Sequence, residues 1–405
     1  MSSSKINVEG KVVIVGAVRT PIGAMGGALA SFQAEELATR SIKAVLEQSG
    51  VQPKHIEYTC FGWVMQDPRS PNVAKTAAEL AGVPVTAPGT TFHENCASGA
   101  AAAHSLARRI LLGEVEIGIA GGVESMSNVP RLLHQGRLKG QTYGDFTLVD
   151  GVMGALFDAH AGEKGELMGL LSERLAERYG VSREEQDDVA FRSHQNALRA
   201  WKEGMFAGYV VPVEIPQRKG EPIVVAQDEG PKDIARAELA KPKPYFKKDG
   251  GTITGMNSST INDGAAALVL ASPKKAAELG LKPLAALHSF QNVGVHRDYM
   301  GEGAFKVIPP LLDRAGLRLA DVDFFEVNEA FAVVVGAAYK FLDGLGAERT
   351  NQWGSGISLG HPVGCTGARQ IVDMVHQLHR RDAKIGVTSR CVGGGMGSAE
   401  VLVRM

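Results

Sequence analysis

The chain has 405 residues, 44% of them hydrophobic and 21% charged, enough for a large core spread over two or three domains or one duplicated domain. Lys plus Arg number 43 against 44 Asp plus Glu, and a net charge of -1 excludes a broad electrostatic footprint for nucleic acid. Four scattered cysteines (Cys60, Cys96, Cys365, Cys391) without C-x-x-C spacing argue against a zinc site and for reduced thiols.

Met1 to Gly10 is short and polar, so no secretory signal is expected, and no run of about 18 apolar residues marks a membrane span. Val12 to Val15 is the first predicted strand, followed by the turn Arg19-Thr20-Pro21-Ile22-Gly23. A helix over about Ala34 to Gln48 ends at Ser49-Gly50, and another strand begins near Ile56. His93-Glu94-Asn95-Cys96-Ala97-Ser98-Gly99-Ala100 then opens an alanine-rich run, Ala97 to Leu112, expected to be a buried helix. The strand Ile117-Gly118-Ile119 is predicted to end in Ala120-Gly121-Gly122. Alternating strands and helices indicate an α/β fold with a largely buried sheet.

From about Ser127 to Thr260 the pattern changes. Gly136 to Gly165 is glycine-rich and lacks periodicity, and Ser182-Arg183-Glu184-Glu185 is a capping box opening a helix to about Trp201. Arg218-Lys219 and Lys241-Pro242-Lys243-Pro244-Tyr245-Phe246-Lys247-Lys248 are cationic. Such a stretch is a solvated loop or a lip for a phosphate-bearing ligand. The whole segment is expected to be an inserted lobe over a site.

The remainder repeats the first part. Leu46-Glu47-Gln48-Ser49-Gly50-Val51 with Ile56-Glu57-Tyr58 matches Leu312-Asp313-Arg314-Ala315-Gly316-Leu317 with Val322-Asp323-Phe324, at an offset of 266 (312 − 46, 322 − 56). Ser98-Gly99-Ala100 matches Thr366-Gly367-Ala368, and Ile117-Gly118-Ile119 matches Ile385-Gly386-Val387, at an offset of 268 (366 − 98, 385 − 117). A near-constant offset across turns, helices and strands indicates two similar halves. Packed about a pseudo-twofold axis, they would set the Cys96 helix beside the Thr366 helix and bring related loops to one place. Chain termination in Val403-Arg404-Met405 is not a peroxisomal tripeptide, and the expected location is cytoplasmic.

Four stretches could carry chemistry. Cys96 at a helix start is either a nucleophile, its thiolate favoured by the dipole, or a small buried hydrophobe. Asn328, in Glu326-Val327-Asn328-Glu329-Ala330-Phe331-Ala332, is a site residue or a helix cap. His361, in Gly360-His361-Pro362, is a base or a turn residue. Cys391, in Cys391-Val392-Gly393-Gly394-Gly395 after a strand from Ile385 to Thr388, is a second reactive thiol or core. A helix terminus contributes at most about 2 kcal/mol, which lowers a thiol from about 8.5 to about 7. A base is therefore required, and His361 faces Cys96 across the repeat. The glycines around His361 and Cys391 would expose backbone donors for an oxyanion.

These motifs together resemble the thiolase family: Arg19-Thr20-Pro21-x-Gly23, Asn95-Cys96-x-Ser98-Gly99, Gly121-Gly122-x-Glu124-Ser125-Met126-Ser127, Ile261-Asn262-Asp263-Gly264-Ala265-Ala266-Ala267, Asn328-Glu329-Ala330-Phe331, Gly360-His361-Pro362 and Cys391-x-Gly393-Gly394-Gly395-x-Gly397. The resemblance spans nearly the whole chain in order. It implies a thiolase fold, two similar βαβαβ halves in a layered α/β/α/β/α sandwich. The halves would be residues 1–126, completed by 261–282, and 283–405, with 127–260 as an inserted loop domain over the coenzyme A site.

The implied activity is coenzyme A-dependent cleavage of 3-ketoacyl-CoA and the reverse Claisen condensation. By resemblance Cys96 holds the acyl group, His361 activates it and helps bind the thioester oxygen, and Cys391 moves a proton at the α-carbon of acetyl-CoA. Asn328 would position a water for one oxyanion hole, with backbone N–H groups of Cys96 and Gly393 forming the other. Ser259, Met168 and Phe246 fall where the family contacts coenzyme A, with Ala330 and Phe331 near the pantetheine end. Coenzyme A is then a co-substrate, with no permanently bound cofactor and no metal, and the partners are thioester substrates and further copies of the chain in a homodimer or homotetramer.

Three positions depart from the short-chain pattern. Leu167-Met168 stands where acetoacetyl-CoA thiolases commonly carry His-Met, Thr260 stands where glycine is usual, and Trp353 is bulky and is expected to shape the acyl pocket. A leucine at 167 resembles broader 3-ketoacyl-CoA thiolases, while strict acetoacetyl-CoA specificity is the alternative. A decarboxylating ketosynthase would carry histidine at 391. A non-catalytic lipid- or coenzyme A-binding homologue would have lost one of the four site residues, and none is missing.

Overall fold

The computed structural model describes residues 12–133, 145 and 147–405. The polar segment Met1 to Gly10 and the first third of the glycine-rich stretch Gly136 to Gly165 lie outside the described residues, which omit 1–11, 134–144 and 146.

The first half begins with β1 (Val13–Arg19), buried along its whole length. Helix α1 (Ala34–Ser49) buries Ala34, Leu37, Ala38, Ile42 and Val45, a stripe at helical spacing, and stops at Gly50 in the left-handed region (φ 70°). Then come β2 (Tyr58–Gly62), α2 (Val73–Leu80), β3 (Gly89–Phe92), α3 (Ser98–Leu111) and β4 (Ile117–Ser125). The lobe between the halves carries α4 (Met168–Tyr179), α5 (Arg183–Lys202) with the Ser182–Glu185 capping box, and short two-stranded ribbons. β5 (Asn262–Ala271) returns to the first half. The second half comprises β6 (Ala285–Gly294), α6 (Ile308–Ala315), β7 (Phe324–Val327), α7 (Ala332–Phe341), α8 (Val363–Arg380), β8 (Ile385–Val392) and β9 (Met396–Arg404).

Strand order is β7-β8-β9-β6-β1-β5-β4-β2-β3, with the two-residue strand Gly23–Ala24 pairing to β5 as the tenth member. The two sheet layers are thus continuous in hydrogen bonding rather than separate, joined where Val13 and Ile14 pair with Ala286 and Ala285. Layering is visible in the sidedness of β5. Ala265, Ala267, Val269 and Ala271 face an outer core with α1 and α2, while Ala266, Leu268 and Leu270 face a central core holding α3 and α8. A third core lies beyond the second-half strands, where Val387, Ala399 and Val401 meet α4, α6 and α7.

Repeat and register agree. Tyr58 pairs in parallel with Gly118, and 266 and 268 residues later Phe324 pairs in parallel with Gly386. Gly118 and Gly386 face Leu270 and Leu402 on the antiparallel neighbour in each half. Helix α6 stops at left-handed Gly316 (φ 72°), as α1 does at Gly50. Between the sheets α3 and α8 cross in backbone contact. A Cβ on Gly99 would lie 2.7 Å from the Ala368 nitrogen, and one on Gly367 would lie 2.6 Å from the Ala100 nitrogen. Only glycine permits that approach.

Three strand boundaries differ from expectation. The strand predicted near Ile56 starts at Tyr58, because Pro53–His55 makes a 3-10 turn first. The glycines expected to end β4 lie inside it: a Cβ on Gly122 would strike the Gly364 carbonyl and one on Gly121 the Phe61 ring, so the strand keeps glycine to let neighbours approach. Cys391 is inside β8 rather than beyond it, opposite Gly397.

The lobe is wired into both halves. Arg19, wholly buried, makes a two-pronged contact to Asp228 at 2.7 and 2.9 Å and reaches Asp373 of α8 at 2.9 Å. Phe206 of the lobe lies under the same guanidinium, 5.1 Å from ring centre to Cζ.

Candidate active site

Two of the candidate side chains stand at the N-termini of the helices that cross at Gly99 and Gly367. Cys96 precedes α3 by two residues, and Asn95 before it adopts φ 44°, a left-handed turn that asparagine tolerates. His361 precedes α8, whose cap is Pro362. Cys391 comes from β8, and Gly393 from the tight turn joining β8 to β9, where Gly394 and Gly395 have φ near 90° and 84°.

A cavity of about 390 Å³ gathers Cys96, His361, Cys391 and Gly393 with Ser259, Met168, Phe246, Ala330 and Phe331. Asn328 is the one predicted site residue not on its wall. It lies wholly buried behind the imidazole, with Nδ2 3.5 Å from His361 Nε2, and its Oδ1 has no protein partner.

Cys96 is half-buried and open to the cavity, and the Gly393 N–H and its own N–H favour its thiolate. Those are the two donors expected to form an oxyanion hole, and both belong to residues on the cavity wall beside the candidate nucleophile. The expectation that the helix end lowers this thiol is overturned. Burial pushes Cys96 up to about 11, against the pull of those two N–H groups. Desolvation of a thiolate outweighs a dipole worth about 2 kcal/mol or less. Burial also raises Cys391, with Cys96 adding to the rise, and pushes the His361 imidazole down to about 3. Burial thus favours the neutral forms of all three groups.

Surrounding polar contacts hold the loops. The His361 N–H donates to Asn262 Oδ1 at 2.9 Å, and Thr260, the departure from glycine, donates its hydroxyl to the same oxygen at 2.8 Å. Glu124, wholly buried, accepts from the N–H groups of Val64, Met65 and Gly364, and burial pushes it up to about 7 against those bonds. It ties the segment after β2 to the start of α8. Phe246 lies flat against the first turn of α4, where a Cβ on Gly169 would sit 2.2 Å from its ring.

Sequence reasoning missed Val64, Met65, Leu156 and Met300 on the cavity wall. The first two were accessible by rule, since they follow the carboxyl end of a parallel strand, where ligands bind in such sheets. Trp353 is not in the acyl pocket: it is buried in the central core with its ring edge-on to Phe206 at 5.6 Å. The cationic stretch divides. Lys241 pairs with Glu238 and Lys247 with Glu177, Tyr245 and Phe246 face the cavity, and Arg218 and Lys219 are not among its lining residues. Among the described residues no cluster of His, Cys, Asp or Glu could hold a metal ion, and no helix is long and apolar enough to cross a membrane.

Residues 12–274 match the family model for the thiolase N-terminal domain and residues 281–404 that for the thiolase C-terminal domain. An acetyl-CoA acetyltransferase of Chromobacterium violaceum is 43% identical over 97% of this chain and 100% of its own length. The crystal structure of the Bacillus anthracis acetyl-CoA acetyltransferase superposes with TM-score 0.94 at 42% identity, covering 98% of this chain and 99% of that one. Human mitochondrial 3-ketoacyl-CoA thiolase in complex with CoA superposes with TM-score 0.94 at 34% identity, covering all of both chains.

Proposed function

The chain belongs to the thiolase family and is an acyltransferase acting on coenzyme A thioesters, and from that premise we propose that Cys96, His361 and Cys391 carry its reaction. The observation supporting this reading is the single cavity shared by those three side chains and the candidate coenzyme A residues Ser259, Met168, Phe246, Ala330 and Phe331. Residues 1–126 with 261–282 and residues 283–405 would be the two halves, and 127–260 the loop domain over the coenzyme A site.

In cleavage, His361 takes the Cys96 proton as sulfur adds to the 3-keto carbon. The C2–C3 bond then breaks, its electron pair forming the enolate of acetyl-CoA, which Cys391 protonates at C2. Free coenzyme A, giving its thiol proton to the Cys391 thiolate, attacks the Cys96 thioester and carries off the shortened acyl group, and Cys96 takes its proton back from His361. Condensation is the same sequence reversed. The N–H groups of Cys96 and Gly393 stabilise one oxyanion, each such donor being worth about 2.7–4 kcal/mol in a transition state. The buried, unpartnered Oδ1 of Asn328 supports its role in holding a water for the other.

Acetyl-CoA should add an acetyl group at Cys96, seen by peptide mass spectrometry, and active protein without that adduct would falsify the reading. Cys391→Ala should still acylate but lose carbon–carbon bond formation.

For the acyl range, a broad 3-ketoacyl-CoA specificity is favoured over strict acetoacetyl-CoA use. Leu167 and the flexible side chains Met65, Met126, Met153, Met168 and Met300 line the cavity, and methionines repack around differently shaped ligands. Comparing kcat/KM for straight, branched and aromatic 3-ketoacyl-CoAs tests this; activity confined to acetoacetyl-CoA reverses it. A homodimer or homotetramer in the cytoplasm completes the reading.

A further inference from the structure

We propose that Thr366 is a positioning residue that fixes the tautomer of His361, leaving Nε2 as the nitrogen free to take the Cys96 proton. The inference rests on His361 being the base of the proposed reaction, and it adds how the fold makes it one.

The argument is a count of hydrogens. Thr366 Oγ1 lies 2.6 Å from His361 Nδ1 and 3.0 Å from the Pro362 carbonyl oxygen. A carbonyl has no hydrogen to give, and a hydroxyl has one. The Pro362 carbonyl also accepts the backbone N–H groups of Cys365 and Thr366; with the Thr366 hydrogen given to it as well, back along the helix as threonines commonly bond, Oγ1 accepts from Nδ1–H. Nε2 then keeps its lone pair, facing Asn328 Nδ2 at 3.5 Å.

The duplicated position behaves alike. Ser98, at the 268-residue offset from Thr366, donates to the Asn95 carbonyl at 2.7 Å and accepts from the Glu94 N–H at 2.9 Å. There the accepted hydrogen belongs to a backbone amide and its direction is unambiguous. Each of the crossing helices thus opens with a hydroxyl that gives its hydrogen to a turn carbonyl and takes one from an N–H. In the second half that N–H is the imidazole's own. Because burial keeps His361 neutral, which nitrogen carries the hydrogen decides whether the ring can act as a base toward Cys96. Thr366 is wholly buried, so water does not replace it.

The test is the rate of Cys96 acetylation by acetyl-CoA, followed by quench and intact mass from pH 7 to 9.5. Thr366→Val, which keeps the shape and removes the hydroxyl, should slow acylation on the order of 100-fold at pH 7.5, the lower end of what a positioned base contributes. Its rate should climb about tenfold per pH unit as solvent supplies the thiolate, whereas the wild-type rate changes little. Thr366→Ser should acylate near the wild-type rate, and Thr366→Ala should follow Thr366→Val, giving a second hydroxyl-free variant if valine does not fold. A hydroxyl-free variant acylating at the wild-type rate overturns the proposal, as does a loss equal in serine and valine or one independent of pH. His361→Asn serves as the control. If it acylates normally, the base reading itself fails; if it is slow while Thr366→Val is normal, only the role of Thr366 falls.

Discussion

The side-chain amide of Asn95 donates to the Gly393 carbonyl at 2.9 Å, joining residues 298 apart in sequence across the two halves. The residue before Cys96 thereby holds the glycine whose N–H favours the Cys96 thiolate. Asn95→Gly keeps the left-handed backbone (φ 44°) but cuts the tether. We expect kcat for acetoacetyl-CoA cleavage to fall on the order of 10- to 100-fold, as small misplacements at a reacting centre do, with the urea midpoint little changed. Asn95→Ala should add a loss of about 1–2 kcal/mol, because alanine resists that backbone region. Wild-type kcat in Asn95→Gly would remove the tether from the mechanism.

The helix crossing is equally exposed to test. Alanine at Gly99 or Gly367 places a Cβ 2.7 or 2.6 Å from a backbone nitrogen of the other helix. Each should destabilise the protein by about 1–3 kcal/mol in urea unfolding, the usual cost of overpacking, and the two costs should be similar since the positions are equivalent in the repeat. A neutral result at both would mean that the helices can separate freely.

Gly169→Ala should act on binding rather than chemistry. Its Cβ would occupy the place of the Phe246 ring, which lines the cavity. The expected outcome is a KM for coenzyme A raised about tenfold, roughly 1.4 kcal/mol, with kcat largely kept. Loss of kcat at unchanged KM would relocate Phe246 to the reacting centre.

Stability should fall in alkali. Burial pushes Cys60 and Cys365 up to about 12 and Cys96 up to about 11. Unfolded thiols titrate near 8.5, so above that pH the unfolded chain has shed protons that the native chain keeps. The stabilisation is whole below about pH 8.5 and is lost as pH rises toward the folded values. Thermal unfolding from pH 8 to 10.5 should show a declining Tm, and Cys60→Ala with Cys365→Ala should flatten the decline.

The repeat was legible because it survives in residues that structure cannot replace cheaply: Gly50 and Gly316 end helices, and Gly99 and Gly367 let two helices touch. The candidate stretches that share the cavity stood out for the same reason, each standing beside glycines or a proline that mark turns. Less visible was anything set by a distant neighbour. The glycines of β4 imitate a strand end unless one knows that the Gly364 carbonyl presses on Gly122. Trp353 resembles a pocket wall until Phe206, from the lobe, covers it. The thiol's direction of titration was misread because a dipole can be inferred from a helix start, whereas desolvation depends on what packs around the sulfur.

Arg19 bears on how such a chain could be shortened or rebuilt. Its charge is balanced by Asp228 and Asp373 and its face covered by Phe206; Asp228 and Phe206 come from the inserted stretch. Cutting that stretch away would remove the two-pronged carboxylate and the covering ring and leave the guanidinium with Asp373 alone, beyond losing the cover over the cavity. The insert is a keystone and not a detachable cap. A minimal scaffold built from the paired halves would have to replace Arg19 in the same step, and grafts that exchange the acyl-facing loops should leave Asp228 and Phe206 where they are.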